Sequence, residues 1–324
     1  MSPTSPFLSV TVEEACRDLF ENRNRPRTLI RALARRSPDE RRGIKASYRA
    51  VYGEELVEGL RRVKEANPES EQVWSGLWLW MMEPPERDAA VARDAVGRGG
   101  GDDYNALVEI YVLRKSSHLF SSKQAYLMRF GRHLDSDLLS ADAERQGSKI
   151  LAALAASHRS HHDHEVSRHI GNCDAKRLHE ALKKRSEGRM EESSTVIVEI
   201  FSKRSIPQLR LAFSSYRHIY GHDFIEALET VNGEFEESLR VVIQCMCTPY
   251  TYYSEMIHLS LTADATKKTV LTRVMIGSAE AGMEKVKAAY ERRYNLKLED
   301  AICERVSDDE IYRDFLLDLS NGHG

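Results

Sequence analysis

A glycine-rich turn followed by two aspartates is the stretch of this 324-residue sequence best suited to hold an ion. It reads Gly97-Arg98-Gly99-Gly100-Gly101-Asp102-Asp103. Because glycine tolerates backbone angles that side chains forbid, such a turn can direct several carbonyl oxygens at one cation. Calcium takes about six to eight oxygen ligands, and a carboxylate from another loop could complete the protein's share. Backbone N–H groups at the next helix could bind phosphate instead, but the two aspartates would repel an anion unless a cation intervened.

A second cluster of candidate ligands is the histidine-rich segment 158–169. His158 and His162 would lie about one helical turn apart, as would His161 and Glu165, so the segment could chelate a transition metal. Structural zinc needs four converging ligands, which this segment does not guarantee. A solvated polar hinge at Ser157–Glu165, between two halves of the chain, is the favoured interpretation.

Both candidates are positioned by a repeated segment, Arg36–Gly53, of which three further versions follow. Four positions of this segment recur in the later copies at the same three intervals, and the residues at one such position are called a column. The columns are Tyr48, Tyr126, Tyr216 and Tyr290; Tyr52, Phe130, Tyr220 and Tyr294; Gly53, Gly131, Gly221 and Asn295; and Arg36, Arg114, Arg204 and Ser278. A period of this kind indicates a repeat architecture.

Each copy is predicted to be a helix with a marked start and stop. Ser37-Pro38-Asp39-Glu40 supplies a capping box with proline at the first helical position, and Ser205-Ile206-Pro207-Gln208 is a variant of it. The copies end on glycine or asparagine, which favour the left-handed C-terminal cap. The sequence therefore predicts an all-α protein of four helical modules. The predicted boundaries are an N-terminal arm at 1–10 and repeats at 11–87, 88–164, 165–255 and 256–324, with a helix at Glu86–Val96 leading into the glycine turn.

Composition narrows the function classes. A formal net charge of −3 with 30% charged residues gives no basic field that would favour nucleic acid as a partner. The basic clusters Arg31–Arg42 and Lys183–Arg189 are interpreted as solvated faces. Five cysteines without framework spacing favour reduced thiols. No apolar run reaches the length of a membrane-spanning helix, so any membrane role should be peripheral. No Walker-type phosphate loop and no nucleophile–base pair stand out.

The repeats, their length and their Arg-Ser…Tyr-x-x-x-Tyr/Phe-Gly core resemble the annexin family, and more closely its divergent plant members. The resemblance covers about residues 11–320 and extends to Pro85-Glu86-Arg87-Asp88, Leu271-Thr272-Arg273-Val274 and Tyr312–Leu317. It implies five helices per repeat, assembled into a slightly curved disk. It also implies that the convex face binds calcium and, through calcium, acidic phospholipid membrane surfaces. The expected location is cytoplasmic and peripherally membrane-associated, with cytoskeletal proteins or other annexins as candidate protein partners.

The resemblance also implies which residues bind calcium. The family's loop reads Lys-Gly-x-Gly-Thr-Asp, with an acidic ligand about 40 residues later. Counting back from Arg114 places the glycine turn on this motif, with Gly97, Gly99 and Gly101 as carbonyl donors. Asp142 falls on the acidic position if one residue is inserted after Gly131. The alternative is an ordinary flexible loop between two helices.

The other three repeats depart from the family's loop and are expected to have lost their sites. Their loop positions carry Leu19, Glu21 and Arg23 in repeat 1, Glu187, Arg189 and Glu191 in repeat 3, and Asp264–Lys268 in repeat 4. Their acidic positions carry Val63, Val231 and Arg305, with Asp308 three residues late. Arg23, Arg25, Lys267 and Lys268 would put positive charge near the ion.

The expected function is therefore peripheral membrane binding with Ca2+ as the cofactor, weak or confined to repeat 2. A helical-repeat scaffold that acts through protein partners, with lost or calcium-independent lipid binding, is the alternative. An enzyme, such as a peroxidase or nucleotide hydrolase, is not supported by the residues.

Overall fold

The computed structural model describes residues 10–21, 25–98, 101–141, 146–156, 166–231, 233–263 and 267–322. Within these ranges all regular structure is helical and no strand occurs, which confirms the all-α prediction. None of the described helices is long and apolar enough to cross a bilayer.

The described helices fall into four groups of five, one for each predicted repeat. The first group is α1 (Val10–Phe20), α2 (Pro26–Leu33), α3 (Pro38–Tyr52), α4 (Leu56–Ala66) and α5 (Glu71–Met81), with a short 3-10 helix at Pro68–Ser70. The second is α6 (Pro84–Arg98), α7 (Gly101–Leu113), α8 (Ser116–Phe130), α9 (Leu134–Ala141) and α10 (Gln146–Ala156). The third is α11 (Arg168–Ser186), α12 (Met190–Lys203), α13 (Ile206–Tyr220), α14 (Phe224–Glu229) and α15 (Glu234–Cys247). The fourth is α16 (Pro249–Thr262), α17 (Lys268–Ala281), α18 (Met283–Tyr294), α19 (Leu298–Arg305) and α20 (Glu310–Ser320). α6 and α16 begin a few residues before the predicted starts of repeats 2 and 4. The repeat boundaries themselves stay predictions.

The third helix of every group ends as the repeated segment predicts, and in α3 and α13 a serine also caps its start. In α3 the Ser37 hydroxyl accepts a hydrogen bond from the Glu40 backbone N–H at 3.3 Å, and the Glu40 carboxylate accepts from the Ser37 N–H at 2.9 Å. The four third helices end on left-handed residues, whose φ angles are 72° at Gly53, 66° at Gly131, 81° at Gly221 and 51° at Asn295.

The tyrosine column of the repeat lies in the core. Tyr48, Tyr126, Tyr216 and Tyr290 are all fully buried. Each hydroxyl has a partner: Tyr48 donates to Glu54 at 2.6 Å and Tyr126 to Asp137 at 2.7 Å, while Tyr216 and Tyr290 lie 3.2 Å from the Nδ1 atoms of His179 and His258. These partners satisfy the polar end of a ring that is otherwise packed against apolar side chains.

The chain divides into two compact units, and the division differs from the predicted halves. One unit comprises residues 1–83 and 250–324, and the other comprises residues 84–249. In the first, α5 packs against α17 and α20; in the second, α10 packs against α12 and α15. The prediction of a boundary at Ser157–Glu165 is wrong, because the second unit contains helices from both sides of that segment. The segment itself lies outside the described residues.

Two arginines of the predicted solvated faces are buried, which corrects that interpretation for them. Arg41 is 5% exposed and its guanidinium lies 3.8 Å from the centroid of the Trp80 ring. Arg185 is 6% exposed. Both occur on the apolar side of their helices, because Arg41 precedes Ile44 and Tyr48, and Arg185 follows Leu178 and Leu182, at helical spacing.

Candidate functional site

The predicted calcium ligands of repeat 2 lie at the ends of helices. Gly97 belongs to the last turn of α6, which continues to Arg98 and so extends beyond the Val96 end predicted from the sequence. Glycine is tolerated there because a helix end loses less from it than a helix interior. Gly101 is the first residue of α7. Gly99 and Asp142 lie outside the described residues, so their predicted roles stay predictions.

The surroundings of Gly97 suit a carbonyl donor. The last four carbonyls of an α-helix have no intrahelical N–H partner, and that of Gly97 is among them. Gly97 is exposed, and a Cβ placed on it would meet no atom within 4 Å. Asp142 directly follows α9, which packs against α6. Backbone carbonyls with one carboxylate are the donors that calcium prefers, so this set fits the ion. No three His, Cys, Asp or Glu side chains of the described ranges are grouped to hold a metal.

In repeat 4 a lysine occupies the place where the second helix begins, next to the start of the fifth helix. This place is called the corner of a repeat. The Lys268 ammonium lies 3.1 Å from an Asp309 carboxylate oxygen and 3.4 Å from one of Asp308. This contact agrees with the positive charge expected at Lys268, and it gives Asp308 a side-chain cation as its partner.

In repeat 3 an arginine occupies the corner, and sequence reasoning missed it. Arg185, in the last turn of α11, donates to the Met190 carbonyl at 3.2 Å and to the Ser194 hydroxyl at 2.8 Å. Its guanidinium also forms an ion pair with Glu236 in the first turn of α15. Both side chains are almost completely buried, at 7% and 3% exposure. Burial lowers the pKa of Arg185.

Repeat 1 has apolar core residues at two positions of the family's loop. Leu19 and Val63 are buried, and the acidic position, Val63, carries no carboxylate. Arg25, beside this turn, lies 3.5 Å from Asp18 and 3.9 Å from Glu14.

The histidine-rich segment leaves one described candidate ligand pair. His169, on α11, has its Nε2 3.7 Å from the Cys173 sulfur, and both side chains are exposed. The other histidines of the segment lie outside the described residues.

Two cysteines, Cys16 and Cys247, are poor nucleophiles. Burial, and after it the charge of Glu13, raises the pKa of the Cys16 thiol to about 12. Burial raises the pKa of Cys247 to about 11. A thiol with such a pKa is protonated at neutral pH, whereas the thiolate is the reactive form. Nothing in these two environments favours catalysis.

Four groups of five helices, whose third helices end on a left-handed residue, define a class of all-α repeat protein, and known proteins of that class match the chain. A family model described as annexin matches residues 173–242. Annexin D7 of Arabidopsis thaliana is 31% identical over 297 residues, which cover 90% of this chain and 88% of that protein. Annexin A13 of Homo sapiens is 29% identical over 299 residues, covering 92% and 90%.

Solved structures match over almost the whole length. One titled "Annexin III" has a TM-score of 0.79 and 24% identity, covering 98% of this chain and 96% of that one. Another, titled "Crystal structure of calcium-bound annexin (Sm)1", has a TM-score of 0.75 and 21% identity, covering 100% and 93%. The chain belongs to the annexin family, which confirms the resemblance found in its repeats.

Proposed function

We propose that this protein is a peripheral membrane-binding protein of the cytoplasm that binds acidic phospholipids through calcium, with the ion held by repeat 2. The carbonyls of Gly97, Gly99 and Gly101 and the carboxylate of Asp142 supply the protein ligands. Calcium supplies the positive charge, and its remaining coordination positions are open to a lipid phosphate. Ion and membrane then bind cooperatively, because each completes the other's site.

The observation that carries this proposal is the open end of α6. Gly97 is exposed, and its carbonyl is one of the last four of α6, which have no intrahelical N–H partner. The corners of repeats 3 and 4 are different, since Arg185 and Lys268 place a side-chain cation there. A second positive ion beside either side chain would be repelled. Membership of a family known for calcium-dependent phospholipid binding supports the same function.

Co-sedimentation with vesicles containing phosphatidylserine tests this function. We expect the wild-type protein to sediment with the vesicles in calcium and to stay in solution in chelator. Asp142→Asn should abolish the calcium-dependent fraction, because it removes the only charged ligand of the proposed set. Asp300→Asn, which removes the same charge from an exposed position on α19, is the matched control and should sediment like the wild type. Unchanged calcium-dependent sedimentation of Asp142→Asn would place the ion elsewhere.

A helical scaffold that acts through protein partners is the second candidate. It is favoured by two exposed apolar side chains on α8, Phe120 at 64% and Met128 at 84% exposure. Large apolar side chains at such exposure occur at protein-binding surfaces. Sedimentation that is indifferent to calcium and to lipid charge would support the scaffold and reject calcium-dependent membrane binding.

A further inference from the structure

We propose that Lys268 and Arg185 are built-in cations that hold the corners of repeats 4 and 3 in place of a metal ion. In both repeats the second helix and the start of the fifth helix then stay together without calcium. The inference goes beyond the proposed function, because it holds whether or not repeat 2 binds calcium.

The corner of repeat 4 is closed by a connected set of polar contacts around Lys268. Its ammonium pairs with Asp309 and Asp308, which lie immediately before α20. Asp309 uses its other carboxylate oxygen to accept the Tyr312 backbone N–H at 3.0 Å. The Tyr312 hydroxyl in turn donates to the Lys268 carbonyl at 2.8 Å and contacts the Thr272 hydroxyl at 2.8 Å. The first residue of α17 is therefore tied to the start of α20 through both its side chain and its backbone.

The corner of repeat 3 uses a different residue for the same purpose. Arg185 binds the Met190 carbonyl on one side and the Glu236 carboxylate on the other. A cation that donates to a backbone carbonyl and pairs with a carboxylate is surrounded by the same oxygen groups that would bind a metal ion. Because both charged groups are buried, neither can be removed without leaving the other uncompensated.

The two cations come from different helices but occupy equivalent places in their repeats. The interval that carries Tyr216 to Tyr290 also carries Ser194 to Lys268 and Phe235 to Asp309. Arg185 contacts both members of that pair in repeat 3: it donates to Ser194 at 2.8 Å and its guanidinium lies 4.6 Å from the Phe235 ring centroid. Lys268 comes from the start of the second helix, whereas Arg185 comes from the end of the first. Two unrelated sequence positions thus place positive charge at equivalent points.

Removal of the Lys268 charge would leave two adjacent carboxylates without their cation. Asp308 and Asp309 would then repel each other across a corner whose backbone is fixed by Tyr312. Calcium, which binds carboxylate oxygens well, could take the place that the Lys268 ammonium leaves. Calcium should therefore not change the stability of this corner in the wild type, but should raise it in a variant that lacks the lysine charge.

Hydrogen exchange of the full chain tests the proposed role of Lys268. It is measured by mass spectrometry in chelator and in millimolar calcium chloride. The relevant peptides cover residues 268–275 and 309–316. For the wild type we expect equal exchange in both conditions. For Lys268→Gln we expect exchange about fivefold faster in chelator, because a partly exposed ion pair is lost, and slower again in calcium. Lys297→Gln removes the same charge from an exposed position in repeat 4 and should match the wild type throughout.

Three results would overturn the assignment for repeat 4. They are calcium-dependent exchange at this corner in the wild type, unchanged exchange in Lys268→Gln, and accelerated exchange in Lys268→Gln that calcium does not reverse. None of them bears on Asp142, so they are separable from failure of the repeat 2 site.

Arg185 needs a conservative variant, because a neutral residue could prevent folding. Arg185→Lys keeps the charge but loses the fork of the guanidinium, which now contacts Met190, Ser194 and Glu236. We expect Arg185→Lys to fold and to exchange faster only in peptides covering 186–194 and 234–240. The double variant Arg185→Met/Glu236→Leu removes both charges and should recover protection in chelator. Faster exchange across all of residues 84–249 in Arg185→Lys, or no recovery in the double variant, would assign Arg185 to general packing instead.

Discussion

At the scale of single residues, two arginines at one position of the repeat, Arg114 and Arg204, are held by buried aspartates. Arg114 donates two hydrogen bonds to Asp88, at 2.7 and 2.8 Å, and Arg204 donates two to Asp174, at 2.6 and 3.1 Å. His118 adds a third contact to Asp88, at 2.9 Å. Paired hydrogen bonds between a guanidinium and a carboxylate are among the strongest side-chain contacts. In repeats 2 and 3 they hold the connection between the second and third helices against the first helix.

The Asp88 carboxylate should make stability depend on pH at the acidic end. Burial alone would raise its pKa, but the contacts with His118 and Arg114 lower it from 3.8 to about 2. A lowered native pKa means stability that is present above pH 4 and lost as the pH falls towards 2, worth about 2 kcal/mol.

Asp88→Asn should lower the free energy of unfolding by about 2–4 kcal/mol at pH 6, because it leaves Arg114 without its charged partner. The deficit should shrink as the pH falls from 4 to 2, since the wild type then loses the same charge. Urea unfolding followed by circular dichroism measures both values. Asp300→Asn, at an exposed position of α19, should change stability by no more than about 0.5 kcal/mol. A deficit for Asp88→Asn that is the same at every pH would contradict an ionic role.

The sequence could have revealed part of the residue-scale picture. Leu178, Leu182 and Arg185 are spaced four and three residues apart, so one helical stripe carries an arginine to the buried side of α11. What spacing could not reveal is its partner, because Glu236 belongs to α15 and only the tertiary packing brings it near. The glycine motif was visible at once, yet the carboxylate that should complete it depends on the same kind of long-range contact.

At the scale of elements, the left-handed cap is the feature that local sequence predicts best. Glycine or asparagine follows the third helix in every repeat, and each takes a positive φ. A Cβ on Gly53, Gly131 or Gly221 would meet no atom within 4 Å, so the backbone angle is what favours glycine there. The helix starts were equally readable from Ser37 and Ser205. The end of α6 could not be predicted in the same way, because the backbone of Gly97 is helical although glycines follow it.

Gly221→Ala should therefore cost about 1 kcal/mol of unfolding free energy, as the strain of a left-handed alanine. Gly221→Asn should cost less, because asparagine tolerates this conformation and already serves at position 295. Gly97→Ala, measured in chelator, is the matched control: its helical backbone suits alanine, so stability should be unchanged or raised by about 0.5 kcal/mol. Urea midpoints compare the three variants. Equal losses for Gly221→Ala and Gly221→Asn would point to a lost space or contact instead of backbone strain.

At the scale of the whole molecule, the order of repeats along the chain does not decide which repeats form a unit. The first and last repeats share one unit, in which Arg35 pairs with Asp318 at 2.6 Å and Arg27 pairs with Glu310. The two central repeats share the other, in which α7 packs against α15. The helical period shows that each helix has an apolar face, but not which distant face covers it. The prediction of halves at residues 157–165 failed for this reason.

The central unit is continuous in sequence, so residues 84–249 should fold without the rest of the chain. It has its own core, with α10 packed against α12 and α15, and its ends fall between helices of different units. The fragment should show helical circular dichroism and a cooperative urea transition. Residues 1–83 alone should not, because α5 would expose the face that packs against α17 and α20. Mixing fragments 1–83 and 250–324 should restore helicity and give a one-to-one complex by sedimentation. Cooperative folding of 1–83 by itself, or failure of 84–249 to fold, would mean that the units are not the stable building blocks of this annexin.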